Sequence, residues 1–191
     1  MPTSNSNCDM DICGEINSSG LRLTWSEAPW DTAVFGFPVM QIGQMEVLGP
    51  SADEDLVAFE KVRDRLGVGI VSCRLGHEHL RESMLLEEHG FRFIEMIYQP
   101  EIDDLQSKEL ESAADLKIDL AKAEDLAAVE EIASSAFRNE RFHADPRIDS
   151  SLGDFRYRNW VRSSLNHPRQ RLYVVRDSSR LVAFFVMEML A

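Results

Sequence analysis

Hydrophobic and polar positions along the chain fall into two blocks of short elements. Leu21-Arg22-Leu23-Thr24-Trp25 alternates with period two, the mark of a half-buried strand, and an extended run follows over Val39–Val47. From about Ala52 to Leu66 the apolar residues Leu56, Phe59, Val62 and Leu66 keep helical spacing, and Ser51 with Glu54 fits a capping box. Gly67–Leu75 (GVGIVSCRL) reads as a buried strand. Glu78–His89 reads as a helix with Leu80, Met84 and Leu85 inward and Gly90 as its stop. Phe91–Ile102 alternates again and predicts a strand.

The second block opens on a strand, Leu116–Leu120. A helix is expected from about Glu124 to Phe137, with Leu126, Val129, Ile132, Ala133 and Phe137 on one face. Glu124 and Asp125 lie in its first turn, where carboxylates complement the helix dipole. An irregular, arginine-rich loop, Arg138–Ser151, leads to a helix over roughly Leu152–Leu165. Arg171–Arg176 and Arg180–Leu190 then form an antiparallel hairpin turned at Asp177-Ser178-Ser179. The order is β-α-α-β-β. Residues 1–20 are Asn/Ser-rich without periodicity and are expected to be a disordered tail. The charged stretch Asp103–Asp115 separates the blocks, giving expected domains of 21–113 and 114–191. The fold class is α/β in the broad sense and α+β in detail, a mixed, mostly antiparallel sheet with flanking helices.

Composition narrows the classes of function. The chain has 191 residues, 44% hydrophobic and 28% charged, the profile of a soluble globular protein. A net charge of −13 argues against a nucleic-acid binder, because phosphate neutralisation dominates affinity there. The longest apolar run, Leu181–Met187, is too short to cross a bilayer, so no membrane partner is expected. Near Met1 no basic segment precedes an apolar one, and Cys8, Cys13 and Cys73 include no CxxC pair; a reducing cytoplasmic setting follows.

The charge is uneven. Eleven acids face three lysines between Glu101 and Glu131, whereas ten arginines face five acids between Phe137 and Arg180. Arginine rather than lysine suits a bidentate grip on phosphate or carboxylate, so an anionic small molecule is the expected ligand. The bland alternative is a solvated face with ion pairs such as Asp154–Arg158 at i,i+4. Arg158 and Arg162 share a helix face, which costs stability unless an anion or carboxylate lies between them. Arg141-Phe142-His143-Ala144-Asp145-Pro146-Arg147 is the densest chemistry in the chain; its alternative is an ordered turn with Phe142 as a core plug. His77 and His79 flank Glu78 but point apart, so no metal is expected. His89 reads as a helix cap and Cys73 as a small core residue. The chain holds no GxSxG, P-loop or GxGxxG motif.

The order over Leu116–Leu190 resembles the first half of the GNAT acyl-CoA N-acyltransferase fold. Ala133–Trp160 is similar to the two-helix segment of TDP-fucosamine acetyltransferase-like sugar-nucleotide N-acetyltransferases, with Ala136-Phe137, Arg141-Phe142 and Tyr157–Trp160 matching their "AF…RF" and "YxxW" elements. Trp30-Asp31-Thr32-Ala33-Val34-Phe35-Gly36-Phe37 is similar to the WDxxFFG motif that opens that group's N-terminal domain. Leu66–Phe93 resembles a degenerate second half of a GNAT domain, ending in Gly90-Phe91. The resemblance implies transfer of an acetyl group from acetyl-CoA, as co-substrate, to a small amine, possessed in this group by an amino-sugar nucleotide. Arg141, Arg147 and Arg158 are the expected anion contacts, and Phe142, Tyr157 and Trp160 are pocket walls or core residues. His143 is a polar contact, Trp30, Asp31 and Phe35 form an interdomain wall, with a structural turn the stronger reading for Asp31, and Glu188 is a candidate for the acceptor amine. No catalytic residue is assigned.

The family's Q/R-x-x-G-x-G/A loop for the CoA pyrophosphate follows a fourth strand, and this sequence stops at the third. The C-terminal half of the GNAT core is therefore expected to be missing, and the chain alone is expected neither to bind acetyl-CoA productively nor to turn over. Leu181–Met187 does not alternate, as in strands buried on both faces inside a sheet. As a last strand it would present a hydrophobic edge, covered by Phe91–Ile102 or by a homodimer. Two other functions stay open: a non-catalytic GNAT-like binding module for an anionic ligand, and a dimerising scaffold.

Overall fold

The computed structural model describes residues 12–104 and 116–189. It is a mixed α+β structure, and its backbone divides into two compact units between Phe93 and Ile94, ahead of the charged stretch at which the sequence pattern places the boundary.

The first unit is a four-stranded sheet, order β1-β2-β3-β4, built from Gly14–Asn17, Leu21–Glu27, Val39–Val47 and Ile70–Cys73. Its first three strands are antiparallel, and β4 joins β3 in parallel after the crossover helix α2 (Ala52–Arg65). The alternation of β2 is realised: Leu21, Leu23 and Trp25 are buried with Met40, Ile42 and Met45 of β3 and with Leu56 and Phe59 of α2. Helix α3 (Leu80–Glu88) adds Leu85 and Leu86 to this core, and Gly90 follows it with φ 85°. Buried Glu82 accepts a hydrogen bond from the Val47 N–H at 2.8 Å, tying α3 to β3.

Several expectations need correction. The tail expected over 1–20 lies partly outside the described residues, and within it Gly14–Asn17 is a strand paired with β2. Ser51 precedes α2 without a side-chain capping bond, because its backbone is already near-helical (φ −84°, ψ 5°) rather than extended. Leu80 and Met84 are exposed, so the buried face of α3 is Glu82, Leu85 and Leu86. The segment Phe91–Ile102 is not a strand; no ladder partner lies beside it among the described residues, and its Phe93, Met96, Tyr98 and Ile102 are exposed. The WD motif forms a short helix, α1 (Pro29–Phe35), with Pro29 in the first turn and Gly36 closing it in the left-handed region at φ 76°.

The second unit is a three-stranded antiparallel sheet, order β5-β6-β7, from Leu116–Leu120, Gln170–Asp177 and Arg180–Glu188. A 3-10 turn at Ala123–Asp125 leads to α4 (Leu126–Ala136); α5 (Arg141–Ala144) and α6 (Ser150–Ser164) follow before β6. The core between the helices and one sheet face holds Val129, Ala133, Val161, Leu172 and Val174, with Phe137, Trp160, Phe184 and Val186 against it. The other face carries Leu116, Ile118, Leu120, Phe185 and Met187, all exposed. Among the described residues strand β7 pairs on one side only, with β6, and its side chains are partly exposed rather than buried on both faces; a bulge at Val182 splits its faces. β5 meets β6 only after the whole helical segment, whereas β6 and β7 are joined by the two-residue turn Ser178-Ser179.

Candidate functional site

The loop expected between the two helices of the second unit is organised around one histidine. Glu140 caps α5 by accepting from the Phe142 N–H at 2.9 Å, and its other oxygen bonds His143 Nδ1. His143 Nε2 lies 2.9 Å from Asp154 on α6. The imidazole side chain is 4% exposed. A neutral imidazole has one N–H, so two carboxylate partners require both nitrogens to carry protons. Burial works against that charge, but the bonds to Asp154 and Glu140 outweigh it and raise the pKa. Such an imidazolium is a positioning cation rather than a general base.

The close fit depends on Gly153. A Cβ there would come within 2.5 Å of His143 Cε1, and Gly153 is buried in the first half of α6. Around this centre Phe142 is 3% exposed and carries the guanidiniums of Arg141 and Arg156 at 4.6 and 4.8 Å from its ring centre. Tyr157 stacks on Phe137 with centroids 4.2 Å apart, and burial followed by the Glu140 charge pushes its hydroxyl up to about 12. Glu95 reaches the same loop and accepts from the Arg141 N–H at 2.8 Å.

Four of the expected residues, Arg141, Phe142, His143 and Tyr157, are thus brought together. Phe142 is a core plug, as its alternative reading had it. Arg147 is held by buried Asp145, which accepts from its backbone N–H, Nε and Nη2 at 3.0, 2.8 and 2.6 Å, while 59% of the Arg147 side chain stays exposed. The Arg147 guanidinium in turn keeps the Asp145 carboxyl below its usual range. Arg158 lies apart, reaching Ser134 of α4 at 3.4 Å, and Trp160 belongs to the aromatic core with Phe137 and Phe184.

The arginine-rich segment finds many carboxylates within its own unit. Arg162 grips Glu130 of α4 with two bonds, Arg176 pairs with Asp125, Arg138 lies 3.9 Å from Asp154, and Arg169 lies 3.7 Å from Glu188. The carboxylate that relieves the Arg158–Arg162 face therefore comes from α4. The expected Asp154–Arg158 pair gives way to Asp154–His143, because Asp154 faces α5.

Glu140, Gly153, Asp154, Arg156 and Glu95 were not legible as site residues. Glu140 and His143 do carry a signal, an i,i+3 spacing on one turn. Asp154 and Glu95 are brought in only by the tertiary fold.

The first unit has a separate polar cavity of about 290 Å³. It opens where β4 stops at Cys73 while β3 continues from Gly43, and it is lined by Gly43–Glu46, Arg74, Gly76 and His79. Burial pushes the Cys73 thiol up to about 11, away from nucleophilic use. Among the described residues no group of three or more His, Cys, Asp or Glu side chains is arranged to hold a metal ion. Trp30 is 41% exposed, whereas Asp31 and Phe35 are buried and Phe35 stacks on Phe37. No helix among the described residues is long and apolar enough to cross a membrane. No protein-family model matches the chain, and no curated protein sequence matches it.

Proposed function

We propose that the chain belongs to the acyl-CoA-dependent N-acetyltransferases of GNAT type, with the second unit forming the acceptor side for an amino-sugar nucleotide or a similar small anionic amine. The supporting observation is the β5-α4-α5-α6-β6-β7 order with its antiparallel sheet and the helices on one face, the arrangement that the sequence resemblance implies. Fold alone does not set function, so the acceptor reading rests on the α5–α6 corner. There the Glu140–His143–Asp154 clamp fixes the loop, while the guanidinium of Arg147, half-exposed outside its fork onto Asp145, and those of Arg141 and Arg156 would offer positive charge to a nucleotide diphosphate.

In this reading the acceptor amine attacks the thioester carbonyl of acetyl-CoA, forms the amide bond and expels the thiolate, and the proton lost by the amine leaves through solvent. His143, bonded through both nitrogens, holds the acceptor loop and does not take that proton. The proposal predicts binding of a TDP-amino-sugar by calorimetry, weakened about tenfold or more, or ~1.4 kcal/mol, by Arg141→Ala or Arg147→Ala. Absence of binding, or affinity unchanged in both variants with their circular dichroism intact, overturns it.

A further inference from the structure

Two parallel strands of the first unit separate, and the gap between them is polar. β3 and β4 stay in register from the Val39/Ile70 pair to the Ile42/Cys73 pair, where β4 ends while β3 continues to Val47. In an antiparallel pair such as β2 and β3, successive residues turn their N–H and C=O alternately towards and away from the partner. Val47 turns its N–H away from β2, to Glu82 of α3 at 2.8 Å. Met45, two residues earlier, therefore turns its N–H and C=O to the same side, into the space beyond the end of β4. Neither group has a hydrogen-bond partner among the described residues, although Met45 is only 4% exposed. Buried backbone groups are ordinarily paired, so this is a short open edge inside the sheet and not at its border.

The cavity of about 290 Å³ lies at this gap, with Met45 in one wall and Arg74 in the other. Arg74 is exposed, and its guanidinium has no ion pair or hydrogen bond among the described residues. The nearby carboxylates are committed elsewhere: Glu46 pairs with Arg22, and Glu78, beside Gly76, lies 3.3 and 3.4 Å from His77 and His79. A free guanidinium fork takes a carboxylate or a phosphate. Glu46 and Glu78 make a doubly charged phosphate the poorer of the two. The helix that follows β3 offers no seat for one either. Its first turn carries Asp53, Glu54 and Asp55, and the Ser18 hydroxyl donates to Asp55 at 2.6 Å.

We propose that this cavity binds the carboxyl terminus of a short extended peptide. The terminal carboxylate sits on Arg74. The residue before it pairs with Met45 as one rung of a strand, donating its N–H to the Met45 carbonyl and accepting at its own carbonyl from the Met45 N–H. Backbone pairing supplies the fit, and the single charge sets the end at which the peptide stops. This inference concerns the first unit, goes beyond the acyl-transfer reading and stands without it.

The test is titration of the full, isotope-labelled chain with acetyl-diglycine, followed by amide NMR. Saturable binding with a shift of the Met45 amide resonance is expected. Arg74→Gln, at an exposed position, should weaken binding about tenfold with circular dichroism unchanged. Converting the ligand carboxylate to its carboxamide should cost as much, and N-methylation of its first glycine should weaken binding by removing the donor to Met45. Acetyl-hexaglycine tells the sources apart: tighter binding points to the tail of a protein, equal binding to a free short peptide. The absence of saturable binding overturns the proposal. So does binding that leaves the Met45 amide unmoved, that is indifferent to Arg74→Gln, or that the carboxamide, the N-methylated ligand or inorganic phosphate matches.

Discussion

The imidazole of His143 lies against Gly153 so closely that a methyl group on that residue would approach His143 Cε1 to 2.5 Å. Glycine inside a helix costs ~1 kcal/mol relative to alanine, so α6 tolerates a local weakness to seat the ring. Gly153→Ala should therefore destabilise the protein by about 1–3 kcal/mol despite its better helix propensity, because two carboxylates prevent the ring from moving aside. Urea unfolding of Gly153→Ala, His143→Ala and the double variant would measure it. The double variant should be less damaged than the sum of the two, since removing the imidazole also removes the clash.

Stability should depend on two buried histidines in the same direction. His89, 10% exposed, lies 3.0 Å from Asp53 and 3.2 Å from Glu60, repeating in the first unit the clamp that holds His143 in the second. For both, burial opposes the charge and the carboxylate bonds more than offset it, so the folded pKa is raised. The stabilisation is complete below the unfolded imidazole value, ~6.5, and is lost as pH rises through the raised folded values. Unfolding midpoints should fall between roughly pH 6 and 8, and the fall should be shallower in His143→Gln and His89→Gln.

The acid side is set by different groups. The Lys122 backbone N–H holds Asp125 below the ordinary carboxylate range, against its burial, with Arg176 assisting. Asp145 is held low first by the Arg147 guanidinium. Their contributions are present above the unfolded aspartate value, ~3.9, and are lost as pH falls through the lower folded values. Asp125→Ala should cost about 2 kcal/mol at neutral pH, because the Lys122 N–H and Arg176 both lose their acceptor. Denaturant melts at pH 7 and pH 3 should show that cost shrinking at the lower pH.

Ser178 turns the β6–β7 hairpin with φ 55°, a left-handed conformation that L residues adopt at a cost. Ser178→Gly should raise stability by about 0.5–1 kcal/mol, the relief of strain being partly offset by a more flexible unfolded chain. A thermal melt of this variant measures the gain directly.

How much was legible in the sequence depended on how local its cause was. β2, α2, α4, α6 and the β6–β7 hairpin all carry their period or turn residues within themselves, and they formed where the pattern places them, within a few residues. β1 was missed because Gly14-Glu15-Ile16-Asn17 has one apolar residue and owes its strand conformation to pairing with β2. Phe91–Ile102 shows the reverse: a strand-like alternation without a partner remains irregular. At the candidate site, Arg141–Arg147 stands out in the sequence as a dense local cluster, while Glu140, one residue before it, does not. The carboxylate of Asp154 was assigned to Arg158 from helix spacing, when α5 packing turns it towards His143 instead.

Leu120 and Gln170, at the near ends of β5 and β6, are separated in sequence by the whole of α4, α5 and α6. Closing a loop of that length costs on the order of 3 kcal/mol in chain entropy, whereas the β6–β7 turn closes within microseconds. The hairpin is therefore expected to assemble early, with β5 joining after α4 and α6 have shortened its tether, an order that folding kinetics of β5 variants would check. Leu116, Ile118 and Leu120 remain 45, 59 and 53% exposed even after that step. During synthesis β5 is thus the strand of this unit that waits longest without a partner, and the one whose apolar side chains a chaperone would meet first.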